Sequence, residues 1–222
     1  MWQPTEEQIN NSQMMDYMRF VNKKLNYSFN NYKQLYNWSV DEAEEFWSSF
    51  WEYSKIIYHS PYTQVIDDLF KMPGAKWFDG ASLNFAENLL RHRDDKIAIQ
   101  SICENGKIYN LSYSQLYKSV SQLASSMRKM GIQKGDRVVG FIPNIPETII
   151  AMLATVSIGA IWSSCSPDFG IKGVLDRFQQ IKPKLIFTAD GYQYNGKTID
   201  CLNKLKNILT ELPSIKQTII IP

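Results

Sequence analysis

The clearest succession of apolar runs and polar breaks lies in residues 134–168, KGDRVVGFIPNIPETIIAMLATVSIGAIWSSCSPD. Lys134, Gly135 and Asp136 read as a turn. Residues 138–142 form a short apolar run bounded by turn signals, which predicts a core strand. Asn144 and Pro146 mark a helix start, because proline lacks the N–H that a first helical turn leaves unpaired. Ile149, Ile150, Met152, Leu153 and Val156 make that helix apolar on most sides. Gly159 stands where a left-handed stop is expected, and residues 160–164 predict the next strand. Strand, helix and strand within about 30 residues is a βαβ unit with parallel strands. Ligands of such sheets bind beyond the carboxyl ends of the strands. The segment from Ser164 to Phe169 is therefore the first place to look for chemistry.

The same patterns extend on both sides. Residues 96–103 and 107–111 predict two strands joined by Glu104, Asn105 and Gly106, since Asn-Gly supplies the positive φ values of a tight hairpin. Ser112 with Gln115 reads as a capping box opening a helix that carries Leu116, Val120, Leu123 and Met127 and stops at Gly131. Residues 170–180 predict a helix with Val174, Leu175 and Phe178 inward. Residues 185–189 predict a strand, 199–212 a helix and 219–221 the start of another strand. That strand leaves a sheet edge without a partner, and folded proteins normally cover such edges. The sheet is therefore expected to be incomplete, its edge covered by further chain or by a partner.

Residues 1–95 have another texture. They hold Trp2, Trp38, Trp47, Trp51 and Trp77, five of the six tryptophans. Thr5 with Gln8 predicts a capped helix whose apolar face is Met14, Met15, Met18, Val21 and Leu25. Ser39 with Glu42 predicts a second cap, followed by a helix presenting Ala43, Phe46, Trp47, Phe50 and Trp51 along one stripe, read as a packing face. Residues 60–83, punctuated by Pro61, Pro73, Gly74 and Gly80, are expected to be irregular, and 84–90 to be a short helix.

Composition narrows the function. With 222 residues, 44% apolar and 21% charged, the chain reads as an ordinary globular protein. A net charge of +2 with scattered Lys and Arg leaves no footprint for nucleic acid. The N-terminus is polar and acidic, unlike a secretory signal. The longest apolar run, 149–162, is too short to span a bilayer, so no membrane partner is expected and the four sequons at Asn10, Asn26, Asn37 and Asn110 should be idle. Cys103, Cys165 and Cys201 are odd in number and widely spaced, which fits reduced thiols in a cytoplasmic protein. His59 and His92 lie in no metal-ligand pattern, so no metal site is expected. Asp67-Asp68 and Asp94-Asp95 read as turn or cap residues. No spacing assembles a catalytic group.

Residues 191–198, GYQYNGKT, match the P-loop pattern GxxxxGK[ST] with a strand before and a helix after. Such a loop would wrap phosphates in backbone N–H groups, with Lys197 on their charge and Thr198 on Mg²⁺. Two tyrosines and a glutamine crowd it, however, and residues 219–222 supply no acid for the metal. A nucleotide-binding P-loop, a plain surface turn, and a loop whose Lys197 meets the phosphate of another ligand all stay open. Neither GxGxxG nor GxSxG occurs.

WFDGASLNFAENLL (77–90), residues 135–170 and LIFTAD (185–190) together resemble the acyl-CoA synthetase branch of the adenylate-forming enzymes. The resemblance covers nearly the whole chain. It implies an α/β fold: an N-terminal helical Trp-rich apron over 1–95, then a Rossmann-like, partly parallel sheet with flanking helices over 96–222, the first part of an incomplete large domain. It implies an acid–thiol ligase that joins a carboxylate to ATP, releasing pyrophosphate, and passes the acyl group to the thiol of CoA. ATP, Mg²⁺ and CoA are the implied cosubstrates and acetoacetate the implied acid, ahead of acetate or propionate. The family's Gly-rich phosphate loop, its metal acid and its C-terminal lysine find no counterpart here, so no catalytic residue is assigned and the chain alone is expected to be inactive. A non-catalytic binding module is the other class. By resemblance, CoA would meet Tyr194, Asn195, Gly196 and Lys197, where two family arginine positions read as Tyr194 and Lys197, and the loop Ser166, Pro167, Asp168, Phe169 and Gly170 beside it.

Overall fold

The computed structural model describes residues 2–104 and 106–222. It divides into two compact units, Met1–Leu83 and Asn84–Pro222.

In the first unit, α1 (Glu6–Asn10), α2 (Gln13–Leu25), α3 (Tyr32–Asp41) and α4 (Ala43–Tyr53) are followed by two short strands, β1 (Gln64–Ile66) and β2 (Trp77–Asp79). The Thr5–Gln8 capping box is present and opens α1. The helix expected to run on from it is two: Ser12 caps α2 with its own side chain on the Met15 amide. The cap predicted at Ser39 is absent. Ser39 lies inside α3 and its hydroxyl donates to the Tyr36 carbonyl at 2.7 Å. The working cap is Asn31, whose side chain accepts from the Gln34 amide, and α4 starts at Glu42 without a side-chain cap. The stripe on α4 is a packing face. Phe46 and Phe50 meet the Tyr17 ring edge-on at 6.0 and 5.6 Å between centroids. Tyr17, Met18, Val21, Leu35 and Trp38 form the core of this unit. Its polar tips are satisfied: Tyr17 shares a 2.7 Å hydrogen bond with Ser49, and the Trp38 indole donates to Glu45 at 2.9 Å. Residues 60–83 are more regular than expected, because β1 and β2 pair antiparallel with Gln64 opposite Asp79.

The second unit runs α5 (Phe85–Leu89), β3 (Ile97–Ile102), β4 (Ile108–Ser112), α6 (Tyr113–Lys129), β5 (Arg137–Phe141), α7 (Pro146–Ser157), β6 (Ile161–Cys165), α8 (Ile171–Ile181), β7 (Leu185–Ala189), β8 (Gly191–Tyr194), β9 (Lys197–Asp200), α9 (Leu202–Glu211) and β10 (Gln217–Ile221). β3 and β4 pair as an antiparallel hairpin, with Gly106 at φ +78°; Asn105 of its turn lies outside the described residues. The Ser112–Gln115 capping box opens α6. Among the described residues β10, β7, β5 and β6 lie side by side in that order, all parallel. β10 and β6 are the edges.

Successive side chains of a strand point to opposite faces, and each face here has its own core. Val138 of β5 joins Leu185 and Phe187 of β7 under α5, α6 and α7. Val139 and Phe141 join Ile186 under α8 and α9. Both clusters are closed apolar packing, which is why the strands read as continuous apolar runs. Pro146 is the first residue of α7 and Gly159, at φ +75°, follows its end. The helix expected over 199–212 is shorter, because Ile199 and Asp200 belong to β9.

Candidate functional site

The chain passes from β5 through α7 to β6 on one side, then crosses through α8 to β7 on the other side of β5. The direction of winding thus reverses about β5, and the carboxyl ends of β5, β6 and β7 flank that point. Two of the segments that leave these ends, the loop after β6 and the hairpin after β7, hold the residues singled out in the sequence.

The loop after β6 holds Ser166, Pro167, Asp168, Phe169 and Gly170. The Ser166 hydroxyl donates to Asp168 Oδ2 at 2.7 Å, and the Phe169 amide bonds back to the Ser166 carbonyl at 3.1 Å. The Tyr192 hydroxyl donates to the other oxygen of Asp168. The Tyr192 and Ser166 hydrogen bonds hold the Asp168 carboxyl below the usual carboxylate range. Burial, and next the bond to Asp168, push the Tyr192 phenol up to about 12, so it stays a donor across the physiological range. Lys204 of α9 donates to the Pro167 carbonyl at 2.9 Å. The Arg177 guanidinium lies 4.5 Å from the Phe169 ring centroid. Gly170 opens α8 with no side-chain cap.

The segment after β7 corrects the P-loop reading. Residues 191–198 form no loop running into a helix. They are β8 and β9, paired antiparallel with Tyr194 opposite Lys197. Asn195 and Gly196 make the turn, at φ +50° and +70°, the left-handed pair that a two-residue hairpin requires. Their amides hold a carboxylate of this chain: Asn195 donates to Glu104 Oε1 at 2.8 Å and Gly196 to Glu104 Oε2 at 3.2 Å. Tyr194 is 58% exposed and Lys197 also faces solvent. At the base, the Cys201 amide closes on the Asp190 carbonyl at 3.0 Å.

One element therefore serves both groups of residues singled out in the sequence. The β8–β9 hairpin reaches the loop after β6 through Tyr192, and its tip carries Tyr194, Asn195, Gly196 and Lys197. The sequence reading missed Tyr192, Lys204, Arg177 and Glu104. For Tyr192 the signal was present, since Tyr-Gln-Tyr before Asn-Gly alternates as a strand does. For the others no local pattern existed. Cys165 and Cys201 are buried, and burial pushes both thiols up, away from the thiolate a nucleophile needs.

Residues 85–222 match the AMP-binding enzyme family and residues 32–89 the acetyl-coenzyme A synthetase N-terminus. The whole chain is similar to acetoacetyl-CoA synthetases from Xenopus tropicalis (46% identical) and Rhizobium meliloti strain 1021 (43%), of which it covers 33% and 34%. It is similar over its whole length, with a TM-score of 0.93 and 38% identity, to 35% of the solved chain of an acetoacetyl-CoA synthetase from Streptomyces lividans. The chain spans about a third of the length of these relatives. The match over 85–222 takes in the whole parallel sheet and both segments at its carboxyl ends, and the chain belongs to the AMP-binding enzyme family.

Proposed function

We propose that the chain is part of an acetoacetate–CoA ligase, an enzyme that converts acetoacetate, ATP and CoA to acetoacetyl-CoA, AMP and pyrophosphate through an acyl-adenylate. The observation that carries this reading is the likeness of the entire chain to acetoacetyl-CoA synthetases in both sequence and backbone. ATP enters as its Mg²⁺ complex, as substrate. The present residues take the CoA side of the reaction. Lys197, with Tyr194, Asn195 and Gly196, meets a phosphate of the CoA nucleotide, and Ser166, Pro167, Asp168, Phe169 and Gly170 border the same ligand. Tyr192 supports this reading, since it ties the two segments into one surface. A cytoplasmic setting fits cysteines that are all free. An acetyl- or propionyl-CoA synthetase would use the same surface and differ in the acyl pocket.

Calorimetric titration of the chain with CoA, dephospho-CoA and Mg·ATP, as wild type and Lys197→Ala, tests this. An exposed ammonium on a phosphate is worth about 0.5–1.5 kcal/mol, so the substitution should weaken CoA binding about two- to tenfold. Unchanged CoA affinity in the variant, or binding of Mg·ATP with none of CoA, overturns the assignment of this surface.

A further inference from the structure

Successive backbone amides in a turn can form a concavity that binds an anion. The Asn195–Gly196 turn is such a nest, and it is filled. Glu104, from the tip of the β3–β4 hairpin, places one carboxylate oxygen on each amide, at 2.8 and 3.2 Å. The pairing is bidentate and charge-assisted, as a bound phosphate would be. The carboxylate comes from a residue 91 positions away in sequence, so no hairpin rule places it there. Lys197, one residue beyond the nest, enters no ion pair among the described residues and stays open to solvent. The tip thus presents two amide donors engaged by an internal anion, beside a cation that is not.

We propose that Glu104 occupies from within the chain an anion site built by the amides of Asn195 and Gly196, and that a phosphate monoester takes this site only in exchange for that carboxylate. The exchange has a definite electrostatic sense. With Glu104 in place, its charge offsets that of Lys197 and repels an approaching phosphate. With Glu104 displaced, two amides and one ammonium converge on the ligand. The ligand class is a terminal phosphate on a nucleotide, small enough to enter a two-residue turn and carrying more charge than a diester. The identification of that nucleotide as CoA rests on the function proposed above; the anion site itself does not.

The test is a titration of the full chain with inorganic phosphate, followed through the backbone amide resonances, for wild type, Glu104→Gln and Glu104→Ala. Glu104 is exposed on a hairpin, so both variants should fold, and Glu104→Gln keeps the side chain's shape while removing its charge. Phosphate should move the Asn195 and Gly196 amides in Glu104→Ala with an affinity about tenfold above wild type, with Glu104→Gln between them. Adding Lys197→Ala to Glu104→Ala should return most of that gain. Amides of 195 and 196 that ignore phosphate in Glu104→Ala overturn the site, and equal phosphate affinity in wild type and Glu104→Ala overturns the exchange. CoA and dephospho-CoA then separate the two readings. If phosphate binds in Glu104→Ala while CoA leaves these amides unmoved, the anion site stands and the CoA assignment falls. If CoA moves them equally in wild type and variant, the CoA assignment stands and the exchange falls.

Discussion

Gly140 shows how one residue can be legible in kind and opaque in reason. It sits inside the apolar run of β5, where glycine ordinarily weakens a strand. The cause is on the neighbouring strands. Trp162 of β6 and Phe187 of β7 approach to 5.9 Å between ring centroids across β5, and a Cβ on Gly140 would lie 2.8 Å from Trp162 Cζ2 and 2.9 Å from Ile142 Cγ2. The rings meet only because position 140 has no side chain. Gly140→Ala should therefore destabilise the second unit by about 1–3 kcal/mol, as overpacking a core does, and Trp162→Leu in the same chain should recover part of the loss. Urea melts of the two variants decide it; a Gly140→Ala chain as stable as wild type removes the argument. The run 138–142 was readable as a buried strand because burial on both faces leaves a continuous apolar signature. The gap was not readable, because it depends on a tryptophan 22 positions later. Asp168 belongs with it: the sequence placed it in the right loop, but its partner Tyr192 comes from another element.

At the level of elements, the hairpin of β8 and β9 is where two local patterns competed. The letters of 191–198 satisfy the P-loop pattern, yet the Asn-Gly at 195–196 carries the same turn chemistry as the Asn-Gly at 105–106. The backbone obeys the second. A phosphate loop needs residues that turn without pairing, whereas Tyr192, Tyr194 and Thr198 favour a pleated ladder. Gly191 gives the ladder a specific requirement. A Cβ there would stand 2.8 Å from the Ile199 carbonyl oxygen, and that atom is backbone and cannot swing aside. Gly191→Ala should spread the base of the hairpin, raise amide exchange in β8 and β9 roughly tenfold or more, and leave β5 protected. It should also loosen the loop after β6, because Tyr192 follows directly. Exchange unchanged along β8 would show that the ladder does not depend on this close approach. Caps divide the same way. Thr5 and Ser112 were legible because a cap is satisfied within three residues, while Ser39 matched the pattern inside a helix already started by Asn31.

The parallel sheet of the second unit has two unlike ends. At the carboxyl ends of its strands, Asp168, Tyr192, Lys204 and Glu104 fix segments that hold exposed Tyr194 and Lys197. At the amino ends the polar groups serve the fold. The Arg137 guanidinium donates to the carbonyls of Ile181 and Lys182 at 2.6 and 3.2 Å, satisfying the end of α8. Asp136 accepts from Lys184 at 2.7 Å and from the Gln133 amide at 2.9 Å. Burial opposes the Asp136 charge, but the Lys184 ammonium and the Gln133 amide outweigh it and hold the carboxyl below the usual range. A depressed carboxyl contributes stability that is complete above the unfolded-chain value of about 3.9 and is lost as pH falls through the folded value. Asp136→Asn should therefore cost about 1 kcal/mol at neutral pH, a modest figure because Lys184 is half exposed. The gap to wild type should narrow steadily as pH drops below about 5. The same substitution should leave the tip alone: the response of the Asn195 and Gly196 amides to phosphate in Glu104→Ala should be identical with and without Asp136→Asn. Urea melts at several pH values and the amide titration read the two effects separately. A stability gap constant from pH 7 to acid would deny Asp136 its role, and a change at the turn would mean that the amino ends do not simply anchor the sheet but reach the tip of the β8–β9 hairpin.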